Sequence, residues 1–213
     1  VKALLLKLDQ RKVGGPDNIA AMFLKKMTEN IPSFTDCIHY LISKSIKFGE
    51  VPRVWRHANV APVYKGGDRS DVNNYRPISL TCILSKITEH ILCSSIWQHL
   101  NEYDIITEKQ HGFRKGLNTT TQLLHVIHFA AQALNNKEKY HIISFDFSKA
   151  FDRVPHNLLL HKLSLYNLDI KWIGDWLRDR ASVVLTGGQR SPGFSVDSGV
   201  PQGSVLGPLS FLL

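Results

Sequence analysis

The chain is short of several things at once. Cysteine occurs only three times in 213 residues, at Cys37, Cys82 and Cys93. So few, unevenly spaced, give neither a disulfide framework nor a zinc module, and they suit a reducing compartment. No stretch approaches the ~20 apolar residues that a membrane span needs. The longest apolar clusters, such as Leu158-Leu159-Leu160, are helix-core sized. No internal repeat or low-complexity tract is present, and no basic-then-apolar leader opens the chain. Carboxylates are in deficit, 18 Asp and Glu against 26 Lys and Arg.

What is there is the composition of a folded protein. Hydrophobic residues make up 43% and charged residues 21%, which excludes a disordered tail, a collagen-like repeat and a coiled-coil rod. A chain of this length buries roughly 70% of its unfolded surface, enough for a real core. The first residue is Val1, and the last four, Ser210 to Leu213, stop inside an apolar run. Both edges are expected to be cuts through a larger protein. The net charge of +8 and pI near 9.4 favour an anionic partner. Basic residues are spread through loops with Gly, Asn and Tyr and do not line one helix face, so a nucleic acid fits better than a membrane.

Periodicity and punctuation predict mixed elements. A helix is expected to start at Pro16 or Asp17, with Ile19, Met22, Phe23 and Met27 at helical spacing, and a second over Ser33–Phe48, closed by Gly49. Trp55–Tyr64 and Tyr75–Leu80 read as a strand and its return, around a loop at Lys65–Arg69. Helices are expected from Ser85 through Trp97 and over Thr119–Leu134. His141–Asp146 reads as a short strand. Pro155 is placed as the first residue of the next helix. Ala181–Leu185 and Phe194–Val196 flank Gly187-Gly188 as a hairpin, and a helix is expected around Leu206–Leu213. Strands and helices do not alternate regularly, so the fold class is α+β and not a doubly wound sheet.

Four stretches carry chemistry. In Asp146-Phe147-Ser148-Lys149-Ala150-Phe151-Asp152, an apolar strand ends in a carboxylate and the chain turns at once. Asp146 there suits Mg²⁺, a hard ion that takes few protein oxygens, and it equally suits a helix N-cap. In Gly199–Pro208, the amides of a glycine-rich loop can approach a nucleotide closely, and Gln202 can hydrogen-bond a base or sugar; a plain turn is the alternative. Lys65, Arg69 and Arg76 surround the first hairpin, where forked Arg and point-charge Lys suit phosphate oxygens; a solvated surface hairpin is the alternative. Gly112-Phe113-Arg114-Lys115-Gly116 sets two cations and an aromatic between glycines, a pattern suited to a nucleic-acid strand. Gly112–Thr119 does not match the phosphate-binding loop motif, because Lys115 precedes the second glycine. His125 and His128 have no evident third ligand and read as core or surface histidines.

Taken in order, these blocks resemble the reverse transcriptase domain of non-LTR (LINE-type) retrotransposons. Gly15-Pro16-Asp17 resembles the family's opening block. Trp55–Lys65 and Tyr75–Leu80, with Lys86 and Glu89, resemble its fingers block. Gln110–Gly116 resembles the next block. Asp146–Asp152, continuing to His156 and Leu159, resembles motif A, and Gly199–Pro208 resembles motif B. The resemblance runs from about Val13 to Leu213.

The resemblance implies a right-hand polymerase: fingers with the start of the palm over 1–135 and a partial palm over 136–213. It implies two-metal nucleotidyl transfer with two Mg²⁺ ions, an RNA template, a DNA primer and deoxynucleoside triphosphates. Asp146 is then the metal ligand, helped by the Phe147 carbonyl, while Asp152 is not a ligand. Phe151 lies under the sugar and excludes a 2′-hydroxyl. Gln202 and Gly203 contact the nucleotide, Arg76 meets its triphosphate with Lys65 or Arg69, and Arg114 and Lys115 meet template or primer. The family's motif C, an aromatic-x-Asp-Asp hairpin, does not occur in these 213 residues, nor does a thumb. The chain alone is therefore expected to be inactive, marginally stable and prone to aggregate, and the alternative reading is a catalytically dead nucleic-acid-binding remnant. The family places such proteins in nuclear or cytoplasmic ribonucleoproteins.

Binding of single-stranded RNA by this chain should weaken with salt, with log K falling at about −0.7 per log salt for each phosphate neutralised. Filter binding across a salt series measures that slope, and a flat response would remove the basic loops as an RNA surface.

Overall fold

The computed structural model describes all 213 residues, and the chain divides into two compact units. Val1–Ser94 and Lys149–Leu213 form the first; Ser95–Ser148 form the second. The architecture is mixed α and β.

The first unit opens with α1 (Lys2–Leu6), α2 (Ala21–Asn30) and α3 (Pro32–Phe48). Helix α2 begins later than the Pro16 or Asp17 start expected from the sequence. Asn18 sits at φ 56, and Asp17 Oδ1 accepts the Ile19 amide at 3.2 Å. A left-handed residue inside that Asx turn cannot propagate a right-handed helix, which waits for Ala21. Helix α3 has Pro32 in its first turn and stops where Gly49 turns left-handed at φ 68.

The same unit holds β1 (His57–Tyr64), β2 (Tyr75–Leu80) and the first part of α4 (Ile83–Glu102). Trp55 belongs to a short 3₁₀ turn before β1 and is buried. After the second unit, the chain returns through α6 (His156–Leu165), α7 (Lys171–Leu177), β3 (Ala181–Thr186), β4 (Gln189–Arg190), β5 (Phe194–Ser195) and α8 (Leu206–Leu212). Pro155 is the N-cap of α6 and not its first helical residue, since its ψ of 121° is still extended.

Leu5, Leu24, Ile42, Leu163 and Trp176 are among the fully buried side chains. The Trp172 and Trp176 rings stack with centroids 6.4 Å apart, and Trp172 Nε1 donates to Ser45 Oγ at 2.9 Å, joining α7 to α3. Asp175, on the same helix, accepts from the Val51 amide at 2.7 Å and from Arg56 Nη2 at 2.8 Å. Its half-sheltered carboxylate thereby satisfies backbone and charge together.

The sheet order is β2-β1-β3-β4, with β5 also on β3. Strand β1 pairs antiparallel with β2, from Asn59 opposite Leu80 to Tyr64 opposite Tyr75, and parallel with β3, from His57 opposite Ala181 to Val60 opposite Val184. Gly187 and Gly188, at φ 55 and 76, make the tight turn from β3 into β4. The hairpin therefore closes on Gln189-Arg190, nearer than the expected Phe194–Val196. Phe194-Ser195 pairs antiparallel with the start of β3, as expected of the hairpin's return.

In the second unit, α4 ends and α5 (Thr119–Asn135) follows a long loop. Asn118 and Thr121 form a capping box at the start of α5. His111 is buried, its Nδ1 2.7 Å from Thr121 Oγ1, while His125 and His128 are exposed on α5. The strand expected over His141–Asp146 does not form. Residues 139–147 have no regular structure, and Ile142, Ile143, Phe145 and Phe147 are exposed, Phe145 to 87%. A strand persists only where a neighbour takes up its N–H and C=O groups, and the sheet consists of β1–β5 alone. Asp146 caps no helix either.

Cys82 is buried, with Sγ 3.3 Å from the Val54 carbonyl; burial, with the Asp17 carboxylate adding to it, pushes its thiol up to about 12. Cys37 is exposed. Iodoacetamide at pH 8 should label Cys37 and leave Cys82 unmodified in the native chain, because only the thiolate reacts. Equal labelling of both, read by peptide mass, would contradict this packing.

Candidate functional site

Strands β1 and β2 run on together past the point where β3 leaves them. Strand β3 pairs with β1 only as far as Val60, whereas β2 follows β1 to Tyr64. Beyond Val60 the hairpin is a two-stranded ribbon. Its tip is built from local side-chain hydrogen bonds: Asp68 Oδ1 accepts from the Ser70 amide at 2.9 Å, Asp71 Oδ1 from the Asn73 amide at 2.9 Å, and Asn74 Nδ2 donates to the Asp68 carbonyl at 2.8 Å. Such Asx turns shape a loop that has no core of its own. Ser70, donating through amide and hydroxyl, holds the Asp68 carboxyl below the usual carboxylate range.

Two further loops of the same unit are laced to each other. The amides of Gly199 and Val200 donate to the carbonyls of Val154 and Phe151, both at 2.8 Å. His156 Nε2 donates to the Gly199 carbonyl at 2.7 Å, and Gln202 Nε2 to Asp152 Oδ1 at 3.0 Å. The Ser79 amide donates to the Gln202 carbonyl at 2.6 Å, which ties the loop to β2. Two glycines make this lacing possible. Gly199, at φ 82, lies so close that a Cβ would stand 2.7 Å from Asp152 Cα; at Gly203, φ 113, it would stand 2.8 Å from the Ser79 carbonyl oxygen.

Between ribbon and loops lies a cleft of about 460 Å³, lined by Lys65, Asn73, Arg76, Lys149, Asp152 and Gln202 among others. Three cations face it against one carboxylate, and that carboxylate is engaged by Gln202. The ion pairs of the chain lie elsewhere, at Asp9–Arg11 and around Arg56, Asp175, Arg178 and Asp179. Lys149 stands at φ 53, a left-handed conformation costing roughly 1–2 kcal/mol for a residue with a Cβ, and its Nζ donates to Asn73 Oδ1 at 3.5 Å. Strain of this kind collects at functional positions.

The structure thus brings together Lys65, Arg76 and Gln202 of the residues singled out from sequence. Arg69 is not part of the lining; its guanidinium lies over the Tyr64 ring at 5.0 Å. The Phe151 ring stacks on Phe211, centroids 5.1 Å apart. Asp146, Phe147, Arg114 and Lys115 belong to the second unit, where Arg114 Nη1 donates to the Thr107 carbonyl at 2.8 Å. Lys149 and Asn73 join Lys65, Arg76 and Gln202 in the lining, and neither a left-handed lysine nor its asparagine partner has a sequence signature.

A family model described as Reverse transcriptase (RNA-dependent DNA polymerase) matches residues 63–213. The chain belongs to the reverse transcriptase family. The RNA-directed DNA polymerase from mobile element jockey of Drosophila melanogaster is 32% identical over 98% of this chain and 23% of its own length. The probable RNA-directed DNA polymerase from transposon BS of the same fly is 31% identical over 99% of this chain and 23% of its own. A retrovirus-related Pol polyprotein from the type-1 retrotransposable element R2 of Popillia japonica is 25% identical over 76% of this chain. The chain spans about a quarter of the length of these relatives. It is a reverse transcriptase domain of the non-LTR kind.

Reverse transcriptases generally use divalent metal ions. Here no three His, Cys, Asp or Glu side chains gather in a way that could hold one. Asp146 offers a single exposed carboxylate, and Asp152 is committed to Gln202. What the cleft itself offers is positive charge, from Lys65, Arg76 and Lys149, suited to an anion.

Gly199→Ala should destabilise the domain by roughly 1–3 kcal/mol, since it forces a Cβ into a left-handed position against the Asp152 backbone. Urea unfolding measures it. A variant as stable as the parent would mean that the two loops are not held this closely.

Proposed function

We propose that the cleft receives the triphosphate of an incoming deoxynucleoside triphosphate, and that the domain serves RNA-directed DNA synthesis with an RNA template and a DNA primer. The convergence of Lys65, Arg76 and Lys149 on one cleft, none of them in an ion pair, carries this reading. Its membership of the reverse transcriptase family supports it.

A triphosphate brings several negative charges, and cations that belong to no ion pair attract it without first breaking one. Arg76 can grip two oxygens with its fork, while Lys65 and Lys149 act as point charges. Gln202 is held on both sides, by Ser79 at its carbonyl and by Asp152 at its side chain. Its amide oxygen is left to meet the sugar or base. Gly203 lets that loop lie flat on β2. Phe151, braced by Phe211, would form the wall that excludes a 2′-hydroxyl, and Arg69 adds positive field near the ribbon tip. Arg114 and Lys115, beside Phe113, would follow the backbone of template or primer. In right-hand terms, 1–135 would supply fingers and the start of the palm, and 136–213 part of the palm.

Titration with a fluorescent mant-dATP tests the reading directly. Lys65→Ala and Arg76→Ala should each weaken binding about tenfold, the worth of one charge-assisted contact, and tripolyphosphate should compete. Unchanged affinities in both variants, or binding that tripolyphosphate cannot displace, would overturn it.

A further inference from the structure

Glu89 lies in the first half of α4 and is fully buried. A carboxylate in that position needs donors, because an unpaired buried charge is costly. It has three. Ser85 Oγ donates to Oε1 at 3.0 Å; the amides of Val205 and Leu206 donate to Oε2 at 2.7 and 3.3 Å. Those two amides stand where the Gly199–Ser204 loop passes into α8. A charged acceptor thus ties α4 to the end of the loop, across more than a hundred residues of sequence.

Between Glu89 and Gln202 the chain has little slack. Ser204 Oγ donates to the Pro201 carbonyl at 2.9 Å and accepts from the Gly207 amide at 2.9 Å. Gly203 is pressed against the Ser79 carbonyl, and the Gln202 carbonyl takes the Ser79 amide. We infer that Glu89 is a positioning residue for the nucleoside half of the substrate: by holding the Val205 and Leu206 amides it sets where Gln202 stands in the cleft. This rests on the reading of the cleft as a nucleotide site.

The three cations have other supports. Lys65 and Arg76 stand on the β1–β2 ribbon and Lys149 on the turn before Asp152, and none is bonded to Glu89. The cations that feel the Glu89 charge, Lys86 and Arg180, are also outside the triphosphate cluster. Arg180 is buried, stacked 5.0 Å over the Trp176 ring and bonded to the Trp176 carbonyl at 3.0 Å. Burial pushes Arg180 down to about 10, and the Glu89 charge works against that fall.

Glu89→Gln keeps the shape and removes the charge. With the chain itself, it should weaken mant-dATP binding about tenfold while tripolyphosphate binding stays within about twofold of the parent. Hydrogen exchange should quicken in the amides of residues 200–206 and stay unchanged in α3. Ser85→Ala, which removes one donor and leaves the charge, should move both readouts the same way, by about threefold; it decides the matter if Glu89→Gln fails to fold. Parent-like mant-dATP binding and parent-like exchange in these variants would overturn the inference. So would an equal loss of both ligands, which is what a merely structural role gives. If the parent chain binds no tripolyphosphate, the cleft reading falls instead, and unchanged exchange at 200–206 would still remove Glu89 as the support of the loop.

Discussion

Strand β1 has a neighbour of each direction, β2 antiparallel and β3 parallel, and the two pairings differ in length. The cleft depends on that difference. Where β3 stops at Val60, the ribbon formed by β1 and β2 continues without a third strand and becomes a wall. Pro62 stands just beyond this point, directly opposite Pro77. Neither can donate a backbone hydrogen bond, so the two face each other where the ladder needs none. Pro62 has no N–H to offer on the β3 side either, which protects the exposed edge of the ribbon from further pairing.

The opposite wall is held in a different way. It is a set of backbone hydrogen bonds, from Gly199 and Val200 to the turn at Phe151–Val154 and from Ser79 to Gln202, made possible by two glycines that allow main chain to touch main chain. Such a wall is stiff without being bulky, leaving the side chains of Asp152 and Gln202 to face the cleft. Glu89 closes the lacing at its far end.

Much of this was legible in the sequence where a residue type answers to one local demand. Gly49 ending α3, Gly187-Gly188 turning β3 into β4, and the pairing of Asn59–Tyr64 with Tyr75–Leu80 all follow from local rules, as does the mixed α and β character. Motif order pointed to Lys65, Arg76 and Gln202, which share one cleft. What failed depends on long-range partners or on backbone handedness. His141–Asp146 has the apolar run of a buried strand, but a run states only what a segment would do beside a neighbour, and β1–β5 supply none. Asn18 hid the left-handed turn that delays α2, and Lys149 hid the one that aims it at the cleft. Glu89 matched a family block by identity alone, and its three donors come from both ends of a long loop in sequence.

The parallel pairing of β1 with β3 also bears on how the domain is made. Val51 and Asp175, hydrogen-bonded beside that pairing, are 124 residues apart in the chain. Closing so long a loop costs entropy before any contact repays it, and parallel strands far apart in sequence pair slowly. On a ribosome, β1 and β2 emerge long before β3 exists to cover them. The ribbon must therefore wait as a hairpin, with the edge that β3 will take still open, until most of the chain has been synthesised. The prolines that shape one wall of the cleft stand on that same hairpin, so they can restrain mispairing during the interval as well as after it.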